Sequence, residues 1–210
     1  MKSHLSLRLP VVVAALGLAA SAASLTGCLG LPQAQTDPTR TYVLSLGTAP
    51  AMANASTRVV RLRPVELPSY LRTRSLVVRR GDNEIQLRDF ARWGEPLELG
   101  IARVLREDLL ARGGARTVQS GLLPAPAGEE PNFELTVRVL ACEGLADGRV
   151  AFRAAWELSP VDATAGAAVS RGDFQAAELK WSADNEATLA AAVSRGVDGL
   201  AAEIAAALAR

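Results

Sequence analysis

The stretch FELTVRVLACEGLADGRVAFRAAWELSP, residues 133–160, decides the fold. Phe133, Leu135, Val137, Val139 and Ala141 recur at every second position, and so do Val150, Phe152, Ala154, Trp156 and Leu158. A period of two places each set on one face of a strand, so the stretch predicts two strands sharing an apolar face. A third strand follows from about Val169 to Trp181. Its alternation is more polar, which suits a sheet edge.

The segment after this meander changes period. Ser182-Ala-Asp-Asn-Glu186 reads as a cap, and Leu189, Val193, Val197, Leu200, Ile204 and Leu208 then follow at helical spacing. Such a stripe predicts a helix lying on the sheet; a partner-binding coiled coil is the competing reading. Upstream, Tyr42–Leu46 and Arg58–Leu62 read as strands, and Gly47–Thr57 as a loop. Leu67–Leu71 is a bend, and Ser75–Arg79 and Glu84–Leu87 flank the hairpin signal Gly81-Asp82-Asn83. A helix opens at Glu95, with Pro96 in a first turn that needs no N–H. It carries Leu97, Ile101, Val104, Leu105 and Leu109 on one stripe and stops at Gly113-Gly114. Ala115–Gln119 is a short strand, and Ser120–Pro131 is a proline-rich loop bearing Leu122 and Leu123. The order predicts an α+β domain, a mixed, mostly antiparallel sheet with two helices packed on one face.

The first residues have a different purpose. Lys2 and Arg8 form a positive start, Leu9–Ala23 is almost wholly apolar, and Leu25-Thr26-Gly27-Cys28 closes the segment. That pattern predicts an export signal over residues 1–27. The tetrad resembles the lipobox of bacterial lipoproteins: a leucine, two small residues, then the cysteine whose thiolate takes a diacylglyceryl group. An uncleaved membrane helix is one alternative, but Leu9–Leu25 is only 17 residues long and contains Pro10 and Gly17. Cleavage by a soluble-protein signal peptidase near Ala20–Ala22 is another.

On the lipoprotein reading, Cys28 is the acylated first residue, and residues 28–40 form a tether ahead of one periplasmic domain, residues 41–210. Each buried acyl methylene contributes about 0.8 kcal/mol of membrane affinity. At roughly 3.3 Å per extended residue the tether spans up to about 40 Å. Leu29 stands where an inner-membrane retention signal places aspartate. By resemblance to lipoproteins of two-membraned bacteria, this points to the periplasmic face of the outer membrane.

Composition excludes several function classes. Without the signal, 21 basic residues face 22 acidic ones, which gives no basic patch for nucleic acid. The one histidine, His4, leaves with the signal. The remaining chain has no Ser–His or Cys–His pair and lacks the commonest zinc ligand. It has no phosphate-binding glycine loop. Glu107-Asp108 and Glu129-Glu130 read as solvated charges, Lys180 has no Ser-x-x-Lys pattern, and Cys142 reads as a buried, inert thiol. No enzyme, metal or cofactor is expected beyond the covalent lipid on Cys28.

One further stretch is distinctive. Val65-Glu66-Leu67-Pro68-Ser69-Tyr70-Leu71 leads to Ser75–Arg79, then Arg92-Trp93-Gly94-Glu95-Pro96-Leu97, then Ile101–Leu105. This resembles the ABC-type transport auxiliary lipoproteins, the PqiC-like family, which share a Leu-Pro-x-Tyr-Leu bend and an Arg-Trp-small-Glu-Pro-Leu segment. Arg72 departs from the acidic residue that members often carry after the bend.

The resemblance implies a non-catalytic auxiliary subunit of a transporter that moves lipids between the two membranes. Its implied partners are an ABC transporter complex and a periplasmic MCE-domain protein, with the subunits forming a homo-oligomeric ring. An envelope-assembly or membrane-integrity lipoprotein acting as a docking module is the alternative. Within the motif, Leu67, Pro68, Tyr70, Leu71 and Trp93 are expected to pack structurally, and Arg92 and Glu95 to form an ion pair near Pro96. Leu122 and Leu123 are expected to contact lipid or the partner.

Overall fold

The computed structural model describes residues 36–48, 56–121, 128, 130–162, 168–183 and 185–210. Its strands are β1 (Arg40–Tyr42), β2 (Val59–Leu62), β3 (Ser75–Arg79), β4 (Ile85–Trp93), β5 (Thr117–Ser120), β6 (Phe133–Leu145), β7 (Val150–Pro160) and β8 (Ser170–Gln175). The described helices are α1 (Leu97–Ala111) and α2 (Glu186–Leu208), and a 3-10 turn lies at Ser69–Leu71.

The long antiparallel pair β6–β7 is the spine of the sheet, running from Phe133↔Pro160 to Gly144↔Val150. β8 adds antiparallel to β7. The other edge of β6 is shared. β2 runs parallel to its first residues and β3 parallel to its last, with a bridge at Glu66↔Arg138 between them. β5 then extends β2, while β4 and β1 extend β3. The result is the expected α+β architecture, a mixed sheet in which most paired residues are antiparallel.

One apolar layer joins sheet and helices. Leu135, Val137 and Val139 of β6 and Phe152, Ala154 and Trp156 of β7 are buried in the same cluster as Ile101, Val104 and Leu105 of α1 and the full stripe of α2. Two glycines permit this contact. A Cβ on Gly196 of α2 would lie 2.7 Å from Phe152 Cγ, and one on Gly172 of β8 would lie 2.5 Å from Trp156 Nε1. The Trp156 indole donates to Glu203 of α2 at 2.7 Å, so its polar atom is satisfied inside the layer. Asn185 is the residue that caps α2, its side chain accepting from the Ala187 N–H at 3.2 Å.

Several boundaries differ from the sequence expectation, each for a tertiary reason. The β6–β7 register shifts between Val139 and Ala141. After this bulge Cys142 faces Phe152 in the helix-side layer, and Ala141 turns to the opposite face. The first strand stops at Tyr42 rather than Leu46. Beyond it, backbone N–H groups of Ser45 and Gly47 donate to side chains of Ser194 and Asp108 instead of to a strand. β4 continues past Leu87 to Trp93, because its far end pairs with both β1 and Ser75. The third meander strand ends at Gln175. Glu178 takes a left-handed φ of 51°, and only Arg149↔Lys180 resumes the pairing.

Candidate functional site

The Leu67–Leu71 bend interrupts a line of backbone pairing along β6. Leading into it, the Glu66 N–H donates to Val137 O, and the Val139 N–H donates to Glu66 O. Pro68 offers no N–H, and its fixed φ starts the 3-10 turn Ser69–Leu71. Leu67 and Leu71 are buried on either side of the turn. Arg72 Nε donates to Leu67 O at 3.2 Å and so closes the bend from its far side. This gives Arg72, the departure from the family pattern, a local structural use.

The turn projects Tyr70 toward the sheet face that carries no helix. There the Arg79 guanidinium lies 5.8 Å from the Tyr70 ring centroid. Arg79 Nε donates to Glu143 Oε1 at 2.5 Å, and its Nη1 donates to the Asp82 carbonyl. Glu143 is only 3% exposed. Burial, then the neighbouring Glu143 carboxylate, pushes the Tyr70 hydroxyl up to about 12. These groups line a cleft of about 340 Å³ with Leu140, Ala141 and Arg153. The pairing tightens the junction of β3, β6 and the bend.

The Arg92–Leu97 segment is a strand-to-helix corner. Trp93 points into the core at 5% exposure, while Arg92, its neighbour on a pleated strand, points outward. The expected Arg92–Glu95 pair is not made. Glu95 instead accepts from Arg103, one turn and a half into α1, with an N–O separation of 2.5 Å. Arg103 also donates to Leu44 O. Pro96 is the N-cap position of α1. The corner is thus tied to the chain leaving β1 through Glu95 and Arg103.

The same exit from β1 is held by both helices. Ser194 Oγ accepts the Ser45 N–H at 3.1 Å and itself donates to Ala190 O. Asp108 Oδ1 accepts the Gly47 N–H at 2.9 Å, and Arg112 pairs with Asp198 nearby. Burial pushes the Asp108 carboxyl up, opposed by the Gly47 N–H. Cys142 is buried, and desolvation followed by Glu143 pushes its thiol up to about 12, so it is a poor nucleophile.

The helix-free face of β6, β7 and β8 is charged and small-chained. Thr136, Arg138, Ala155, Glu157, Arg171 and Asp173 line a shallow depression there. Arg171 pairs with Glu157 at 2.8 Å and Arg138 with Glu66 at 2.7 Å. Both pairs are exposed, so they set surface polarity more than stability. Among the described residues no group of three or more His, Cys, Asp or Glu side chains is placed to hold a metal ion. None of the described helices is long and apolar enough to cross a membrane. Cys28, Leu122 and Leu123 lie outside the described residues.

Known proteins agree with this architecture. A family model described as the ABC-type transport auxiliary lipoprotein component matches residues 42–205. No curated protein matches the sequence. Among solved structures, an uncharacterized protein is 20% identical with a TM-score of 0.63, covering 80% of this chain and 98% of its own. A Xanthomonas campestris protein assigned to DUF330 is 13% identical with a TM-score of 0.60, covering 80% of this chain and 93% of its own. A PelC dodecamer from Paraburkholderia phytofirmans is 15% identical at a TM-score of 0.42, covering 76% and 93%. The first two share the fold. With the family model spanning every element from Tyr42 through most of α2, the chain belongs to the ABC-type transport auxiliary lipoprotein component family.

Proposed function

We propose that this chain is an outer-membrane-anchored periplasmic lipoprotein, acting as a non-catalytic auxiliary subunit of an ABC/MCE-type transporter that moves lipids between inner and outer membranes. The observation that carries this reading is the family match over residues 42–205, a family described by transport rather than by catalysis. The side-chain chemistry supports it. On the helix-free face Arg171 pairs with Glu157 and Arg138 with Glu66, and the buried charged groups hold the bend and the β1 exit. Lipid on Cys28 keeps the domain at the membrane, and residues 29–40 give it reach. Among the described residues β8 is paired on one side alone, by β7, and its outer edge supplies a surface through which copies pair into a ring. The MCE-domain protein is the partner such a ring receives.

Affinity capture of the full chain from native membranes, with mass spectrometry of proteins and lipids, tests the reading. The expected result is recovery of an ATPase, a permease and an MCE-domain protein together with an acylated Cys28. Capture without any transporter component overturns it. A Cys28→Ser variant is expected to lose transport while retaining the folded domain, and full transport by that variant overturns the anchoring role.

A further inference from the structure

We infer that the outer rim of β4, carrying Ile85, Leu87 and Phe90, rests on the membrane that holds the Cys28 lipid, and so fixes which side of the domain faces the bilayer. The inference rests on the anchoring reading given above. Three large apolar side chains within six residues are 37%, 43% and 59% exposed. Most apolar side chains of the other strands are buried in the core, so this cluster is out of pattern. Val77, the cross-strand neighbour of Leu87 on β3, is buried, and so is Val78 beside it opposite Gln86, so the hairpin itself is well packed.

The path of the chain selects the occupant. Arg40, the first residue of β1, pairs with Ala91, directly after Phe90, and β1 runs parallel to β4. The segment arriving from Cys28 therefore enters the domain beside this rim. β1 covers β4 only from Ala91 to Trp93, which leaves the edge from Ile85 to Phe90 without a neighbouring strand among the described residues. The tether joins the domain beside this edge, so the anchor brings it to the bilayer with less extended chain than the far side of the sheet requires.

The chemistry sets the depth. Backbone N–H and C=O groups along an edge with no neighbouring strand among the described residues exclude it from hydrocarbon. The side chains alone enter, at the level of the headgroups and first methylenes. Exposed Arg40, Arg80 and Arg92 flank the cluster, and Asp82, Glu84 and Asp89 offset them. With charges of both signs around it, the surface binds through its apolar side chains, and anionic lipid is not required.

The test uses the full acylated chain in vesicles of phosphatidylethanolamine and phosphatidylglycerol. Single cysteines are introduced by Leu87→Cys or Phe90→Cys and labelled with bimane; buried Cys142 stays unlabelled, and acylated Cys28 has no thiol. Lipids brominated near the headgroup end of the chain are the quencher. Labels at 87 and 90 are expected to lose most of their emission, while a label at Asp173→Cys on β8, across the sheet, keeps it. The same loss is expected in vesicles of phosphatidylethanolamine and phosphatidylcholine. Equal emission at 87, 90 and 173 in an acylated protein overturns the inference. So does a disulfide between copies through Phe90→Cys without quenching, which assigns the rim to subunit pairing. A chain found by mass spectrometry to carry no acyl group removes the anchoring reading, and this inference falls with it.

Discussion

Arg79 and Glu143, 64 residues apart, meet at 2.5 Å where β3 runs beside the end of β6. The carboxylate is almost wholly buried and the guanidinium about a third exposed. Removing Arg79 leaves a buried charge without its partner, whereas replacing both groups removes the problem. Arg79→Ala is therefore expected to destabilise the domain by about 2–4 kcal/mol, a range lowered from that of fully buried pairs for the exposure of Arg79. The Arg79→Ala/Glu143→Leu double variant recovers part of that loss. Urea denaturation of the three proteins checks it; equal stability of the single and double variants would show that burial of the charge is not the cost.

A second prediction concerns the contact between helix and sheet. Gly196→Ala would ordinarily stabilise a helix by about 1 kcal/mol. Here the added Cβ meets Phe152 Cγ at 2.7 Å, and Phe152 is fully buried. Overpacking outweighs propensity, with a net loss of about 1–3 kcal/mol. Adding Phe152→Leu to Gly196→Ala is expected to restore some stability. Thermal melts of the single and double variants decide between a steric origin and a propensity one.

Trp93 and Arg92 are adjacent in the family motif and sit on opposite sides of β4. Trp93→Ala removes a large buried side chain and is expected to cost about 3–5 kcal/mol. Arg92→Ala removes an exposed one and is expected to stay within about 0.5 kcal/mol. Glu95→Ala, which breaks the half-exposed pair with Arg103, falls between them at about 1 kcal/mol. A comparable loss for Arg92→Ala in purified protein would show that it bears on the fold after all.

What could be read in the sequence was local. The alternation of Leu135–Val139 with Phe152–Leu158 and the stripe from Leu189 to Leu208 each lie within one element, and both occur as expected. The bulge at Leu140 was hidden, because Ala141 and Cys142 are similar enough in polarity for either to fit the core pattern. The extent of β4 was hidden for another reason. Its second half is Arg88–Trp93, and Arg88 is held by Glu186, 98 residues away, a pairing no local periodicity encodes. Glu95 chose Arg103 over Arg92 because strand geometry points Arg92 outward, which was invisible while that stretch read as a helix entry. The Tyr70–Arg79–Glu143 cluster did leave a trace: Glu143 is a lone charge in the otherwise apolar run Val139–Leu145. A single acid in a strand core asks for a partner.

Asp108 gives the domain a predictable response to pH. Its side chain is buried, Oδ1 accepts the Gly47 N–H, and Oδ2 has no hydrogen-bond partner. Burial raises its carboxyl above the ordinary value, with Asp198 and Glu107 adding to this and Gly47 and Arg112 opposing it. A raised acid binds its proton more tightly in the folded than in the unfolded chain. Between the ordinary aspartate value and the raised folded value, its contribution to stability therefore grows as pH falls. Above the folded value the buried charge is a standing cost. Asp108→Asn keeps an oxygen for Gly47 and removes that charge, so at neutral pH the variant is expected to match or exceed the parent in stability. Its advantage shrinks as pH drops toward 4. Asp108→Leu loses the Gly47 contact as well and is expected to be less stable than the parent at every pH. Denaturant midpoints for the three proteins from pH 4 to 8 check this. An advantage of Asp108→Asn that grew on acidification would mean that Asp108 is held ionised by Arg112, with its carboxyl lowered instead of raised.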